Sequence, residues 1–152
     1  MLKAIDIMTP EPFTLSPDTD IRTAATLLLD KKINGAPVVD AKGKLVGVLC
    51  QSDLVAQQKQ VTLPSIFAML DGFIALSSRD DFEHEMQKIA ATMVSQAMTK
   101  DPKTVSPQTP IDEIATVMVN EKLFTLPVVA DGKLVGVVGK EDILRTLLGQ
   151  KP

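Results

Sequence analysis

A chain of 152 residues, 45% of them hydrophobic, has the length of one ordinary domain and can bury a sizeable core. A net charge of −3 with both signs interspersed offers no basic field to a phosphate backbone, and the lack of Trp and Tyr removes the usual base-stacking platforms, which argues against nucleic acid as a partner. One cysteine, Cys50, and one histidine, His84, argue against a disulfide framework and a cysteine-rich zinc site.

The N-terminal MLKAIDIMTPEP has no long apolar core of the signal-peptide kind. The most apolar run, SIFAMLDGFIAL, is too short for a bilayer and is broken by Asp71-Gly72. A reduced, soluble, cytoplasmic protein without membrane contact is expected.

In chain order, an extended stretch around Thr14 ends in a Ser16-Pro17 turn. Thr19 stands where a helix N-cap belongs, and Ile21, Ala24, Ala25 and Leu28 recur at helical spacing. A strand through Pro37-Val38-Val39, the glycine-bearing turn DAKGK and a strand from Leu45 to Leu49 read as a hairpin, after which Asp53 opens a last helix.

From 61 to 94 a helical connector is predicted. Pro64 starts one helix with Ile66, Phe67, Met69 and Leu70, and Ser78-Arg79-Asp80 caps another with Phe82, Met86, Ile89, Ala90 and Met93 on one stripe. It reads either as a packed tether or as a dimerisation or partner-binding surface, because Phe67, Met69 and Phe73 are more apolar than a tether needs. His84, between Glu83 and Glu85, reads as a solvated helix residue.

Then the first pattern returns. From Met8 and from Met98 the chain matches itself without a gap at Met-Thr, Pro12/Pro102, Thr14/Thr104, Ser16-Pro17/Ser106-Pro107, Thr19/Thr109, Ala25-Thr26/Ala115-Thr116 and Pro37-Val38-Val39/Pro127-Val128-Val129. One residue is dropped where DAKGK becomes ADGK, and the match resumes from Gly43/Gly132 to Asp53/Asp142. In the second copy Thr109 takes the cap, Pro110 the first helical position, and Ile111, Ile114, Ala115 and Met118 the apolar stripe. Two copies of a β-α-β-β-α unit of roughly fifty residues follow, spanning 1–60 and 95–152. The predicted class is α/β (α+β). Each sheet is too small to close a core alone, so the copies should pack face to face with pseudo-two-fold symmetry.

The junctions LVGVLCQSDL and LVGVVGKEDI hold an aspartate in register while the letters before it vary. Asp53 and Asp142 on a first helical turn can complement the helix dipole, worth roughly 0.3–1 kcal/mol. They can also meet a ligand.

The ordered set Met-Thr, Thr, Pro-Val-Val and Gly-hydrophobic-hydrophobic-x-x-x-Asp, present twice, resembles the cystathionine β-synthase (CBS) domain family, as a tandem pair or Bateman module. The resemblance covers all but the connector. It implies two clefts between the repeats that take adenosine compounds (AMP, ADP, ATP or S-adenosylmethionine), and a sensor, often a homodimer, that controls another protein. It also implies that Asp53 and Asp142 accept hydrogen bonds from the ribose hydroxyls, a cis-diol offering two donors to two carboxylate oxygens. One site would combine Thr14, Leu15, Ala36, Pro37 and Val38 with Asp142. The other would combine Thr104, Val105, Leu126, Pro127 and Val128 with Asp53. Backbone near Thr14 and Thr104 would meet the adenine edge, and the apolar side chains its faces; each of those side chains also suits an ordinary core position.

The chain departs from the family three residues before each aspartate, where Cys50 and Gly139 replace Ser or Thr. A thiol is a weak hydrogen-bonding group and glycine brings none, which weakens the expected grip on phosphate. Asn34-Gly35-Ala36 and Phe124-Thr125-Leu126 also lack the basic residue often found ahead of Pro-Val-Val. Ser52 and Lys140 are candidates to compensate. AMP is therefore expected ahead of ATP. The rival reading is a CBS-type scaffold that has lost its ligand. Catalysis is not expected, since a Cys50 nucleophile needs a base and nothing places His84 near it. No cofactor or metal is expected, and the output should pass through an unidentified regulated protein.

Overall fold

The computed structural model describes residues 1–57 and 92–149. The first repeat runs α1 (Ala4–Ile7), β1 (Thr9–Pro10), α2 (Ile21–Asp30), β2 (Gly35–Val39), β3 (Leu45–Cys50) and α3 over 51–57. The second runs α4 (Val94–Ala97), β4 (Thr99–Lys100), α5 (Ile111–Glu121), β5 (Thr125–Ala130), β6 (Lys133–Gly139) and α6 (Lys140–Leu147). Most of the expected connector, with its two helices and His84, lies outside the described residues.

Each hairpin forms as its pattern requires. Antiparallel β2–β3 and β5–β6 turn at Gly43 and Gly132, whose φ values of 79° and 76° are open to glycine at no steric cost. The helices bury matching stripes, with Ile21, Ala24 and Leu28 answered by Ile114 and Met118. Leu15 and Val105 join their own hairpins through parallel bridges to Val38 and Val128.

The third strand of each sheet comes from the other repeat. The strand orders are β2-β3-β4 and β1-β6-β5, so Thr9 pairs with Val137 and Thr99 with Val48. Here the glycine of each LVGV motif finds its cause. A Cβ on Gly136 would lie 2.5 Å from Met8 Sδ and 3.0 Å from the Thr9 carbonyl oxygen; one on Gly47 would meet Met98 Sδ at 2.5 Å. The doubled Met-Thr and the doubled glycine are therefore two sides of one contact, made across the repeats.

The leading helices cross over too. Ala4 and Ile5 donate N–H groups to the carbonyls of Thr109 and Pro107 at 2.9 and 3.0 Å, and Val94 and Ser95 donate to those of Thr19 and Pro17 at 2.8 and 3.1 Å. Ala4 and Ile7 belong to the same core cluster as Ile114, Leu126, Val128 and Val138, while Val94 belongs with Leu15, Ala24, Leu28 and Val38.

That exchange corrects the expected helix starts. Thr19 and Thr109 are not the N-caps. The first N–H of α2, on Ile21, is taken by the Thr92 carbonyl oxygen, and that of α5, on Ile111, by the Leu2 carbonyl oxygen. Asp20 caps α2, its Oδ1 accepting from the Thr23 N–H at 2.8 Å. Pro110 is itself the cap position of α5 and makes no side-chain cap bond, while the Thr109 hydroxyl accepts from the Ser106 N–H at 2.9 Å.

Candidate functional site

Gly139 ends β6 and α6 begins at once, so Asp142 occupies the third position of the helix. Its Oδ2 accepts the Gly139 N–H at 2.8 Å. Asp53 takes the same position in α3, its Oδ2 accepting the Cys50 N–H at 2.8 Å. Both aspartates thus cap their helices from within, satisfying a donor the helix leaves unpaired. That explains one oxygen of each carboxylate.

The other oxygens differ. Asp142 Oδ1 accepts from Arg145 Nη1 at 2.9 Å, and Arg145 Nη2 lies 3.7 Å from Glu141. Ala56 holds the place of Arg145 in the first repeat, and among the described residues no donor reaches Asp53 Oδ1. Burial pushes both carboxyls above the usual carboxylate range. The Cys50 N–H pulls Asp53 partly back, and the Gly139 N–H and the Arg145 charge do so for Asp142.

Each aspartate borders a cavity shared with the opposite repeat. Asp142, Gly139, Lys140, Glu141 and Arg145 line a cavity of about 230 Å³ together with Thr9, Lys32, Ile33, Asn34 and Gly35 of the first repeat, and with Thr125 and Val137. Asp53, Cys50 and Ser52 line one of about 190 Å³ with Thr99, Asp101, Pro102, Lys103, Glu121, Lys122 and Leu123 of the second. The first cavity carries three cations against two carboxylates, the second two cations against three carboxylates. Lys32 and Lys122, one in each, have left-handed φ values of 55° and 52°, a conformation uncommon for a residue with a Cβ.

Apart from Lys140, the remaining candidates separate from the aspartates. Thr14 and Leu15 line a different cavity with Val39 and Asp40. Ala36, Val38, Leu126 and Val128 are wholly buried in the core, as are Pro37 and Pro127, and none of the six lines the two aspartate cavities. Beside the backbone of Thr14 and Thr104, expected to meet an adenine edge, the next residue of each repeat is already bonded. The Leu15 N–H is taken by the Pro37 carbonyl and its oxygen by the Val39 N–H; Val105 is tied in the same way to Pro127 and Val129. Thr104 is exposed and Val105 buried. Lys140 lines the Asp142 cavity and stands over the Phe124 ring, 5.8 Å from its centroid.

Cys50 is 9% exposed and its thiol is pushed up to about 12, by burial first and the Asp53 charge second. It is a packed thiol.

Sequence reasoning missed Thr9, Thr99, Lys32, Lys122, Lys103 and Arg145. Two signals were present. Met-Thr coincides in the repeat, and Asp142 and Arg145 stand three apart on one helix, within reach of each other. Among the described residues no three of His, Cys, Asp and Glu gather to hold a metal ion, and no helix is long and apolar enough to cross a membrane.

Residues 4–59 and 94–149 each match the CBS domain family. An uncharacterised protein of Methanocaldococcus jannaschii is 30% identical over 151 residues, 94% of this chain and 89% of that protein. The CBS domain-containing protein CBSX2, chloroplastic, of Arabidopsis thaliana is 30% identical over 150 residues, and the chain spans 62% of its length. The crystal structure of CBSX2 in complex with AMP superposes at a TM-score of 0.72, with 30% identity and 98% of both chains covered. That of the CBS domain pair of protein MJ0100, in complex with 5′-methylthioadenosine and S-adenosyl-L-methionine, gives 0.74 with 26% identity and the same coverage. With a doubled unit, exchanged edge strands and two matching stretches, the chain belongs to the CBS domain family as a tandem pair.

Proposed function

We propose that the protein is a regulatory module that binds an adenosine-containing ligand in the clefts between its two repeats and signals through a partner protein. The observation that carries this reading is that each helix-capping aspartate borders a cavity whose opposite lining belongs to the other repeat. A carboxylate held by its own backbone through one oxygen is pre-oriented to accept a ribose hydroxyl through the other, and a carboxylate oxygen already bonded once keeps a second lone pair. Relatives of the same fold crystallised with AMP, and with 5′-methylthioadenosine and S-adenosyl-L-methionine, support the ligand class. AMP is the first choice. Both cavities are smaller than the roughly 300–1,000 Å³ of most small-molecule sites, which favours a compact ligand over a triphosphate. A homodimer belongs to the reading as well: Val55, Leu144, Leu147 and Leu148, on or just beyond the last helix of each repeat, are each more than half exposed.

One observation favours a ligand-free scaffold instead: both oxygens of Asp142 are already bonded within its own helix and junction. Thermal unfolding separates the two. A ligand bound only by the folded state raises the midpoint by mass action. AMP, ADP, ATP, S-adenosylmethionine and NAD, each at millimolar concentration, should yield at least one rise. Asn at position 142 or 53 keeps the cap but loses the charge, and it should weaken the responsible cleft roughly tenfold or more. No rise with any compound leaves the scaffold.

A further inference from the structure

The clefts differ in how the free oxygen of the aspartate is used. In one, Arg145 occupies Asp142 Oδ1 at 2.9 Å, yet its side chain is 44% exposed and lines the same cavity. Asp142 itself is 8% exposed, so Arg145 covers the carboxylate from the cavity side rather than from the core. Lys32 and Lys140 line that cavity as well. In the other cleft no described cation touches Asp53, Ala56 stands where a guard would be, and Asp53, Asp101 and Glu121 outnumber the two lining cations, Lys103 and Lys122.

Resting on the adenosine reading above, we propose that Arg145 acts as a charge gate that makes the Asp142 cleft selective for phosphorylated adenosine, whereas the unguarded Asp53 cleft favours an adenosine compound without phosphate. A guanidinium pairs more strongly with a doubly charged phosphate, through two parallel bonds, than with a singly charged carboxylate already shared with the Gly139 N–H. A phosphate entering beside Lys32 and Lys140 therefore draws Arg145 away and frees Asp142 Oδ1 for a ribose hydroxyl. An uncharged nucleoside offers Arg145 nothing in exchange, so it must break the ion pair without compensation. Ligand charge and diol recognition are thereby coupled in one cleft and independent in the other. Arg145 sets specificity by what it gives up as well as by what it binds.

The test is calorimetric titration of AMP and of adenosine into the full chain on an Asp53→Asn background, with and without Arg145→Gln. The background alone should bind AMP more tightly than adenosine by about tenfold or more. Adding Arg145→Gln should weaken AMP and tighten adenosine, bringing the two within about threefold. The gain for adenosine is the decisive sign, because a plain phosphate contact would cost AMP and leave adenosine unchanged. Adenosine unchanged or weaker in the Arg145→Gln protein overturns the gate, as does loss of both ligands with an unchanged melting temperature. On an Asp142→Asn background the remaining cleft should bind adenosine at least as well as AMP; a preference for AMP there contradicts the division of the clefts. If the unmutated protein binds neither compound, the gate falls, and the adenosine reading falls with it only when ADP, ATP, S-adenosylmethionine and NAD also leave the melting midpoint unchanged.

Discussion

Asp142 holds a buried carboxyl, and Asp53 a half-buried one, against the preference of a carboxylate for water. Burial raises both pKa values, and the backbone bonds from Cys50 and Gly139 offset only part of the rise. The linkage has a definite sign. A carboxyl with a raised folded-state pKa favours the folded protein while protonated, and that contribution is lost as the pH climbs through the raised value. Asp53→Asn removes the titration and keeps an oxygen for the Cys50 N–H. The midpoint of the wild type relative to Asp53→Asn should therefore fall over the window that opens near the ordinary aspartate value of about 4 and runs up through the raised one. A difference that ignores pH across this window contradicts the burial of Asp53. The other unusual residue of the same cleft is inert. With its thiol near 12, Cys50 is thiolate in about one molecule in ten thousand at pH 8. A disulfide-exchange reagent at that pH should label it only after denaturant is added, and rapid labelling of the folded chain would sink this assignment.

Between elements, the exchange of edge strands is the strongest constraint on the fold, and it explains which parts were legible beforehand. The hairpins, the apolar stripes and the repeat itself were readable because each is written in local periodicity. The strands Thr9–Pro10 and Thr99–Lys100 were not, since two exposed residues carry no period. Their cue was the coincidence of Met-Thr with a strand glycine far along the chain, a pairing that only three-dimensional crossing makes meaningful. The same crossing hid the true helix caps, because backbone carbonyls of Leu2 and Thr92 do what a capping hydroxyl would otherwise do. Of the candidate site, the aspartates and their neighbours Cys50, Ser52 and Lys140 were legible and the opposite walls were not. Lys32 and Lys122 belong to left-handed turns after the first long helix of each repeat, with no chemical motif to mark them. Two substitutions test the crossing. Gly136→Val drives side-chain atoms into Met8 and should cost about 1–3 kcal/mol by overpacking. Ile7→Ala empties a fully buried site in the core of the opposite repeat and should cost about 2–5 kcal/mol. Urea titration measures both, and a neutral result for Ile7→Ala would place α1 off that core.

At the scale of the whole molecule, neither repeat completes its own core. Ile7 reports on the second repeat and Val94 on the first, so the two units should melt as one. Urea unfolding followed by two probes, one in each repeat, should coincide for the wild type and for Ile7→Ala alike. Separate transitions would mean that the units are independent and the clefts between them loosely held. This mutual dependence also gives a physical route for signalling. A ligand bridging an aspartate of one repeat to the facing wall of the other stabilises their relative placement, and a partner resting on the exposed helices would sense that placement. The proposal stands or falls on where a nucleotide goes. A crystal structure of the protein soaked with AMP should show the nucleotide between the repeats, with a ribose hydroxyl in hydrogen-bond contact with Asp142. AMP bound elsewhere, or both cavities empty at saturating AMP with Arg145 still on Asp142, would contradict it.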